Sequence, residues 1–437
     1  MKDYSPIYQR FFFVIFWVAM CFGFVSQEVI PPLTSWHSGV FLMVDIMWVM
    51  LAALTVRRVL DVVLIVSFVM ISYISTCTLN DLSLVFWING LRDFLGLLLA
   101  YPVMCYFMCD PTRRERFESS LDRQLIIFLV IQAICVTYQF LKYGAGDHGG
   151  GSLGNNGSGN ISMIIYLVSY YLLHKRLDTD NFFVSLNENK LLIILLFPTF
   201  LNETKISFIL IVIYFALLLP FDRRYILRAM WAVPIVMCAI WVGSSVYGSV
   251  VKSTDEDFIS MEFLSHYLSL EDVSTAEQGA LWDIDQGRQA DVPRIAKLMY
   301  LPILHTQEPG HEAMGFGLGQ FKGGTTLELS DFAYKYDWLL MGSIPYLFHV
   351  YIQLGMVGIV FLFGCLMYIF LIKPSWSVGR DYNMQLFVAI VLMLIMFYND
   401  SLRVISFTMI LFFFFAASWT VQNDIEEAEE ETECENN

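Results

Sequence analysis

Charged residues are scarce in this sequence. They make up 15 % of its 437 residues, while hydrophobic residues make up 57 %. Soluble domains are nearer to about 25 % charged and about 45–50 % apolar. Apolar runs recur along the chain, each close to the length of about 20 residues that a bilayer core requires. The composition therefore excludes a purely soluble globular protein and predicts an all-α polytopic protein embedded in a lipid bilayer.

Motifs for metals and nucleotides are also missing. The sequence contains no phosphate-binding glycine loop of the kind found in nucleotide hydrolases. Of its eight cysteines, all but Cys434 lie in or beside apolar runs, and the longest polar stretch contains none. This distribution argues against both a disulfide framework and a zinc site. We therefore expect no metal and no cofactor.

Basic residues are few, with 26 lysines and arginines against 41 acidic residues, and the acidity is local. Residues 252–342 carry 15 acids and 6 bases, and residues 423–437 carry 8 acids and no base. These two segments hold all of the negative net charge of −15, so the rest of the chain is weakly basic. Such a distribution offers no basic surface for nucleic acid, which is not an expected partner.

One long polar segment divides the apolar chain. Residues 1–250 are predicted to form nine spans, residues 251–342 an outer loop, and residues 343–422 three more spans before an acidic disordered tail at 423–437. No internal repeat is evident, which argues against an inverted-repeat transporter. The twelve predicted spans are 11–29, 39–56, 59–78, 84–108, 125–142, 160–174, 190–201, 205–221, 226–250, 344–372, 383–398 and 403–421.

Positive charge alternates between successive connections of this arrangement. On one side lie 16 of the 26 lysines and arginines. Because cytoplasmic loops are the basic ones, both termini are predicted to lie in the cytoplasm and the long loop outside. In a bacterium this arrangement corresponds to the inner membrane, with the loop in the periplasm. The first apolar run, Phe11–Val25, lacks a small-residue cleavage site after it and is expected to be the first span.

A few cations break the pattern because they lie on the outer side. Arg92 is inside the fourth span, Lys205 begins the eighth, Arg403 begins the last, and Arg288 belongs to the outer loop. Arginine donates two parallel hydrogen bonds to phosphate oxygens. These side chains are therefore candidates for binding a lipid-linked diphosphate. The alternative is a structural role, in which they pair with acidic neighbours such as Asp93 or with carbonyl groups.

Two glycine-rich stretches lie in outer connections. The first contains Asn155 and Asn156 and leads into the sixth span, and the second is Gly315–Gly319, with Gly317 at its centre. Glycine and asparagine permit tight turns and close backbone approach, so these segments are candidates for lining a site for sugar or phosphate. A flexible connector explains the first stretch equally well. The second lacks the strand–helix context of a dinucleotide-binding motif.

His349 lies near the outer start of the tenth predicted span. Imidazole changes its protonation near neutral pH, which suits a general base. A histidine inside a span is more often a hydrogen-bonded core residue. Because of its position near the outer start of the span, we treat His349 as the candidate proton acceptor, with His311 or Glu312 as the alternatives.

The order of these motifs resembles that of the O-antigen polymerase and O-antigen ligase superfamily. The likeness covers residues from about 84 to 420. It implies a GT-C-like, all-helical glycosyltransferase that uses no metal and moves a glycan from undecaprenyl diphosphate to a hydroxyl acceptor. The matching residues are Gly154-Asn155-Asn156, Thr204-Lys205, Gly287-Arg288, Gly315-Phe316-Gly317-Leu318-Gly319, Tyr346-Leu347 and Gly355-Met356-Val357-Gly358.

Two positions depart from the family pattern. Lys205 stands where the family has an arginine, which keeps the charge but loses the two-pronged hydrogen bonding. Ser343 stands where the family has a histidine, three residues before Tyr346. His349 follows Ser343 by nearly two helical turns and could face the same cavity. The change at Ser343 favours a polymerase over a ligase.

These patterns predict polymerisation of oligosaccharide repeat units, carried on undecaprenyl diphosphate, into O-antigen, capsule or exopolysaccharide. The alternatives are a ligase that transfers lipid-linked glycan to lipid A core or protein, and a transporter or flippase. A chain-length regulator and a flippase are the expected protein partners. The predicted catalytic residues are Arg288 and His349, and the predicted substrate-binding residues are Arg92, Lys205, Arg403, Asn155, Asn156, Gly317 and Ser343.

Overall fold

The fold consists of packed helices. It is seen in a computed structural model, and no strand occurs in the ranges that this structure describes. Those ranges are residues 4–144, 148–155, 157–178, 181–202, 206–218, 294–321, 330–340, 344–371 and 382–417. The predictions at Arg288, Lys205, Asn156 and Ser343, at span 226–250 and at the acidic tail lie outside the described residues.

Six segments among the described residues are long and apolar enough to cross a membrane. This agrees with the predicted all-α polytopic membrane protein. The segments are Ser5–Val29, Pro31–Thr55, Val59–Leu79, Leu84–Met108, Pro111–Tyr143 and Tyr346–Leu371. Their α-helices are α1 (Ser5–Phe24), α2 (His37–Thr55), α3 (Val59–Tyr73), α4 (Leu84–Met108) and α5 (Pro111–Tyr143), and Tyr346–Leu371 is α13 in chain order.

Shorter helices complete the bundle. A pair of helical segments, Phe182–Glu188 and Lys190–Leu201, is bent by 67° and makes a seventh span if the two count as one. The remaining α-helices are α6 (Ser158–His174), α7 (Phe182–Glu188), α8 (Lys190–Ile194), α9 (Pro198–Leu201), α10 (Ile206–Leu218), α11 (Arg294–Gln307), α12 (Asp331–Tyr336), α14 (Tyr382–Tyr398) and α15 (Ile405–Ala417).

Two of these helices are the centre of the bundle. Every residue of α15 is buried, and so is every residue of α6 from Ile161 to Leu173. Helix α15 packs along α4 and against α6. A helix that is apolar on all sides belongs inside a bundle, where its whole surface is covered by neighbours. Contacts of Ser401 with Asn160 and of Arg403 with Asp93 bring the starts of α6 and α15 together with α4.

Helix α13 is broken at Gly355, where φ is 62° and ψ is −155°. The outer-loop segment 311–319 is joined to the break through backbone hydrogen bonds. The carbonyls of Ile352 and Gln353 accept the N–H groups of Phe316 and Gly317, at 2.9 and 3.0 Å. The N–H of Met356 donates to a carbonyl of the same segment, at 2.9 Å. The loop thus pairs with backbone groups that a break leaves without helical partners.

The glycines of this segment make its close approach possible. Gly315, Gly317 and Gly319 all have positive φ, a conformation that residues with a Cβ rarely adopt. A Cβ on Gly319 would lie 2.1 Å from the carbonyl oxygen of Phe86 in α4. A Cβ on Gly355 would lie 2.5 Å from the nitrogen of Gly315. The glycine run therefore packs backbone against backbone between α4 and the break in α13.

We expect Gly319→Ala to destabilise the protein strongly. The added methyl group meets backbone atoms and the residue keeps a positive φ, so the cost is about 3 kcal/mol or more. Thermal unfolding of the purified protein in detergent measures it. Gly364→Ala on α13 is the matched control, because nothing lies within 4 Å of a Cβ at that position. Equal melting temperatures for the two variants would contradict the packing described.

Candidate functional site

Four ionisable side chains converge where α4, the start of α13 and the turn before α15 meet. One carboxylate oxygen of Asp93 lies 3.2 Å from Arg403 Nη2 and 3.6 Å from His349 Nε2. The other terminal nitrogen of Arg403 donates to Asp400, at 2.6 Å. Asp93 and the two side chains that meet its oxygen are largely buried, so their interactions are little screened by solvent. We call Asp93, His349, Asp400 and Arg403 the charged cluster.

Three elements position the charged cluster. Asp93 follows the first residue of α4 by nine positions, which places it about 14 Å along the helix axis. His349 is in the first turn of α13. Arg403 ends a short 3-10 turn, Ser401–Arg403, that links α14 to α15. The turn is held because the Arg403 N–H donates to the carbonyl of Asp400, at 2.9 Å.

His349 is enclosed by aromatic and amide groups. Its ring stacks on Phe94, with ring centroids 5.8 Å apart, and Tyr346 lies 6.1 Å away. The side-chain amide of Gln353 donates to the ring and lies 2.8 Å from Nε2. The side-chain oxygen of Gln353 accepts from the backbone N–H of Gly319, at 3.1 Å. The histidine is thus held between Asp93 and a glutamine that is itself fixed by the outer loop.

A group of amides and hydroxyls adjoins the charged cluster. Asn399 and Ser401 both hydrogen-bond to the side-chain oxygen of Asn160 near the start of α6. Asn202 donates to Ser162 at 3.1 Å, and its own side-chain oxygen is buried without a hydrogen-bond partner among the described residues. Such groups hydrogen-bond to sugar hydroxyls as readily as to each other. The surroundings of the charged cluster are therefore polar on the α6 side.

Helix α11 of the outer loop adds two cations. The Arg294 guanidinium lies over the ring of Tyr398, at 4.2 Å from its centroid, next to the start of the Asn399–Arg403 connection. One turn further on, the side chain of Lys297 is fully buried. Fully buried lysines are rare, and their charge is expensive unless it is paired. Helix α11 thus places the Arg294 guanidinium beside the Asn399–Arg403 connection.

The same helix is fastened at its other end. His305 hydrogen-bonds to Tyr351 of α13, at 2.9 Å, and burial lowers the pKa of that histidine. Just beyond α11, Glu308 accepts a hydrogen bond from Lys335 at 2.8 Å, which lowers the pKa of the Glu308 carboxyl. Tyr336 also donates to Glu308. Contacts at both ends thus hold α11 across the outer surface of the bundle.

The structure brings together only some of the predicted site residues. Arg403 and His349 both contact Asp93. Arg403 thus forms ion pairs with Asp93 and Asp400, as its alternative structural role predicts. Arg92 pairs with Asp45 of α2 instead. Its neighbour Asp93 faces Arg403 and His349, because adjacent residues face different sides of a helix.

Asn155 and Gly317 lie in backbone-anchored segments. The N–H of Asn155 donates to the side chain of Gln27, at 2.6 Å, while its own side-chain oxygen is buried without a hydrogen-bond partner in the described ranges. Two glutamines of α5, Gln132 and Gln139, hold the preceding turn through its backbone. The N–H of Gly317 donates to the Gln353 carbonyl. The amide of Gly317 is consequently occupied by protein.

Sequence reasoning missed Asp93, Arg294 and Lys297 as members of one site. An acidic residue inside a span was the available signal for Asp93, since such residues mark functional sites by default. The signal for Arg294 and Lys297 was their spacing, which puts both cations on one side of an amphipathic helix in an acidic loop.

The comparisons with known proteins do not add a name to this site. No protein-family model matches the chain, and no curated protein matches it.

Proposed function

We propose that this protein is a membrane glycosyltransferase that polymerises lipid-linked oligosaccharide repeat units at the outer face of a bacterial inner membrane. The proposal includes the twelve-span, GT-C-like arrangement and undecaprenyl diphosphate as the carrier. The convergence of Asp93, His349 and Arg403 at one end of the bundle, beneath a loop helix that carries Arg294 and Lys297, is the observation that supports it most. A base and several cations are what this transfer needs.

The transfer follows from the roles of these groups. A hydroxyl oxygen of the acceptor sugar attacks the anomeric carbon of the donor glycan and forms the new glycosidic bond. The bond between that carbon and the diphosphate oxygen breaks, and its electron pair leaves with the diphosphate. His349 takes the hydroxyl proton, and Asp93, 3.6 Å away, stabilises the resulting imidazolium. The cations stabilise the negative charge that develops on the diphosphate.

Arg403 and the cations of the loop are the groups that would bind the diphosphate. Arg403 faces two carboxylates through its terminal nitrogens. Its Nε is buried and has no hydrogen-bond partner among the described residues, which leaves one donor for a ligand. Arg294 and Lys297 lie above, and the predicted catalytic residue Arg288 precedes them in the same loop. Lys205 and Ser343 remain candidates for the same substrate.

A reconstituted assay tests the proposal. Purified protein in liposomes is mixed with a lipid-linked repeat unit, and the products are separated by size. We expect a ladder of lengthening glycans from the lipid-linked unit alone, with no metal added. A ligase would instead need lipid A core or a protein acceptor, and cells lacking it would accumulate lipid-linked polymer. No glycan transfer to either kind of acceptor would refute an enzymatic role.

Transport is the second candidate, and a specific feature favours it. Helix α13 is broken at Gly355, and the Phe182–Glu188 and Lys190–Leu201 pair is bent by 67°. Transporters place their sites at discontinuous helices, and intramembrane charges such as Asp93 mark ion paths. The two candidates differ in the same liposomes: a transporter moves the lipid-linked unit between leaflets and leaves its glycan length unchanged.

A further inference from the structure

A cleft in the outer surface lies apart from the charged cluster. Its volume is about 480 Å³, within the range of small-molecule sites. It opens between the connection from α3 to α4 and the outer loop beside α12. Its described wall includes Asn80, Asp81, Ser83, Phe86, Gln320, Ser330 and Asp331.

One buried polar atom indicates that the cleft takes a ligand. The side chain of Gln320 is 6 % exposed, and its amide oxygen has no hydrogen-bond partner among the described residues. An unsatisfied buried acceptor destabilises the fold, so an incoming hydroxyl that donates to it recovers that free energy. Native structures seldom keep such a group without a reason.

The other wall residues fit a carbohydrate. Asn80, Asp81, Asp331 and the two serines supply donors and acceptors of the kind that pair with sugar hydroxyls. Phe86 is partly exposed and offers an aromatic face to the C–H side of a sugar ring. Among the wall residues that the structure describes, none is a cation and two are carboxylates. The cleft thus repels anionic sugars.

The cleft is connected to the charged cluster. Gln320 follows Gly319, whose N–H donates to Gln353 at 3.1 Å, and Gln353 donates in turn to His349. Along α4, Phe86 precedes Asp93 by seven residues, so it lies about 10 Å further out. A glycan with one end at His349 would have to extend outward by a few sugar units to reach the cleft.

We propose that this cleft is a glycan-binding subsite that takes neutral or amino sugars and rejects uronic acids. This inference rests on the proposed function in one respect, namely that the bound glycan is carried on a lipid. Binding itself needs no transfer, so soluble sugars test it separately. If binding is found and the liposome assay gives no product, the proposed function fails while the subsite stands.

The experiment uses the full-length protein in detergent and three probes, measured by calorimetry at up to millimolar concentration. The probes are chitotetraose (neutral), its de-acetylated form (cationic) and tetragalacturonate (anionic). We expect the first two to bind about tenfold or more tightly than the anionic probe, because the carboxylates of Asp81 and Asp331 repel an anion. No binding of any probe, or equal binding of all three, would overturn the proposal.

Two variants and a control separate the site from general damage to the fold. Asp81→Asn combined with Asp331→Asn should raise the affinity for tetragalacturonate about tenfold, a gain that misfolding cannot produce. Gln320→Met should weaken chitotetraose by at least about tenfold, since it removes the buried acceptor. The control is Glu188→Gln, an exposed carboxylate outside the cleft, which should change neither affinity. Unchanged binding in both cleft variants would assign the sugars to another place.

Discussion

Replacing Arg403 by glutamine is expected to abolish polymerisation, with a loss of more than about 100-fold in rate. The substitution removes the cation that faces both Asp93 and Asp400. Breaking one side of a buried ion pair costs about 3–5 kcal/mol, so the protein should also be less stable. The measurements are ladder formation in liposomes and thermal unfolding in detergent, made on the same preparation.

A second variant distinguishes structural from functional loss. Arg403→Gln with Asp93→Asn removes both charges, so stability should recover while polymerisation stays absent. The matched control is the Arg58–Asp61 pair at the start of α3, 3.7 Å apart, where Arg58 contacts Cys105 and Tyr368 near the opposite ends of α4 and α13. There, Arg58→Gln with Asp61→Asn should restore both stability and activity. If the Arg403 double variant also regains activity, the charged cluster is structural.

The helices follow closely from the sequence where composition alone decides them. Helix α4 has the predicted bounds, Leu84–Met108. Helix α5 was predicted at 125–142 and instead begins at Pro111, because Asp110 caps it by accepting from the N–H of Arg113 at 3.0 Å. The charged segment before the apolar run, residues 111–124, is therefore helical. Hydropathy alone does not show this, because it locates only the apolar part of a helix.

The site follows less completely, because its contacts join residues far apart in the chain. The sequence predicts that the glycine run lines a substrate site, and this stays a prediction. In the structure, its positive-φ residues pack against the break in α13 at Gly355. A glycine run in the sequence indicates that something approaches the backbone closely there. It does not show whether that is a ligand or another segment of backbone. Likewise, Arg92 and Arg403 carry the same sequence signal, yet only Arg403 reaches the charged cluster.

His349→Gln is expected to slow polymerisation by about 10²–10⁴-fold, the usual contribution of a general base. It should also change the pH dependence. With the native protein, the rate should fall towards low pH, because a protonated ring accepts no proton. The slow residual rate of His349→Gln should lack this fall. Rates measured across a pH series, at saturating lipid-linked substrate, provide the test.

Two comparisons show whether His349 acts itself or only shapes its surroundings. Gln353→Met removes the amide that lies 2.8 Å from the ring, so it should lower the rate less and keep the pH dependence. His305→Gln makes the same substitution at a histidine that contacts Tyr351 outside the charged cluster, and it should also keep that dependence. A pH profile of His349→Gln parallel to the native one would show that proton transfer occurs elsewhere, with His311 and Glu312 the next residues to substitute.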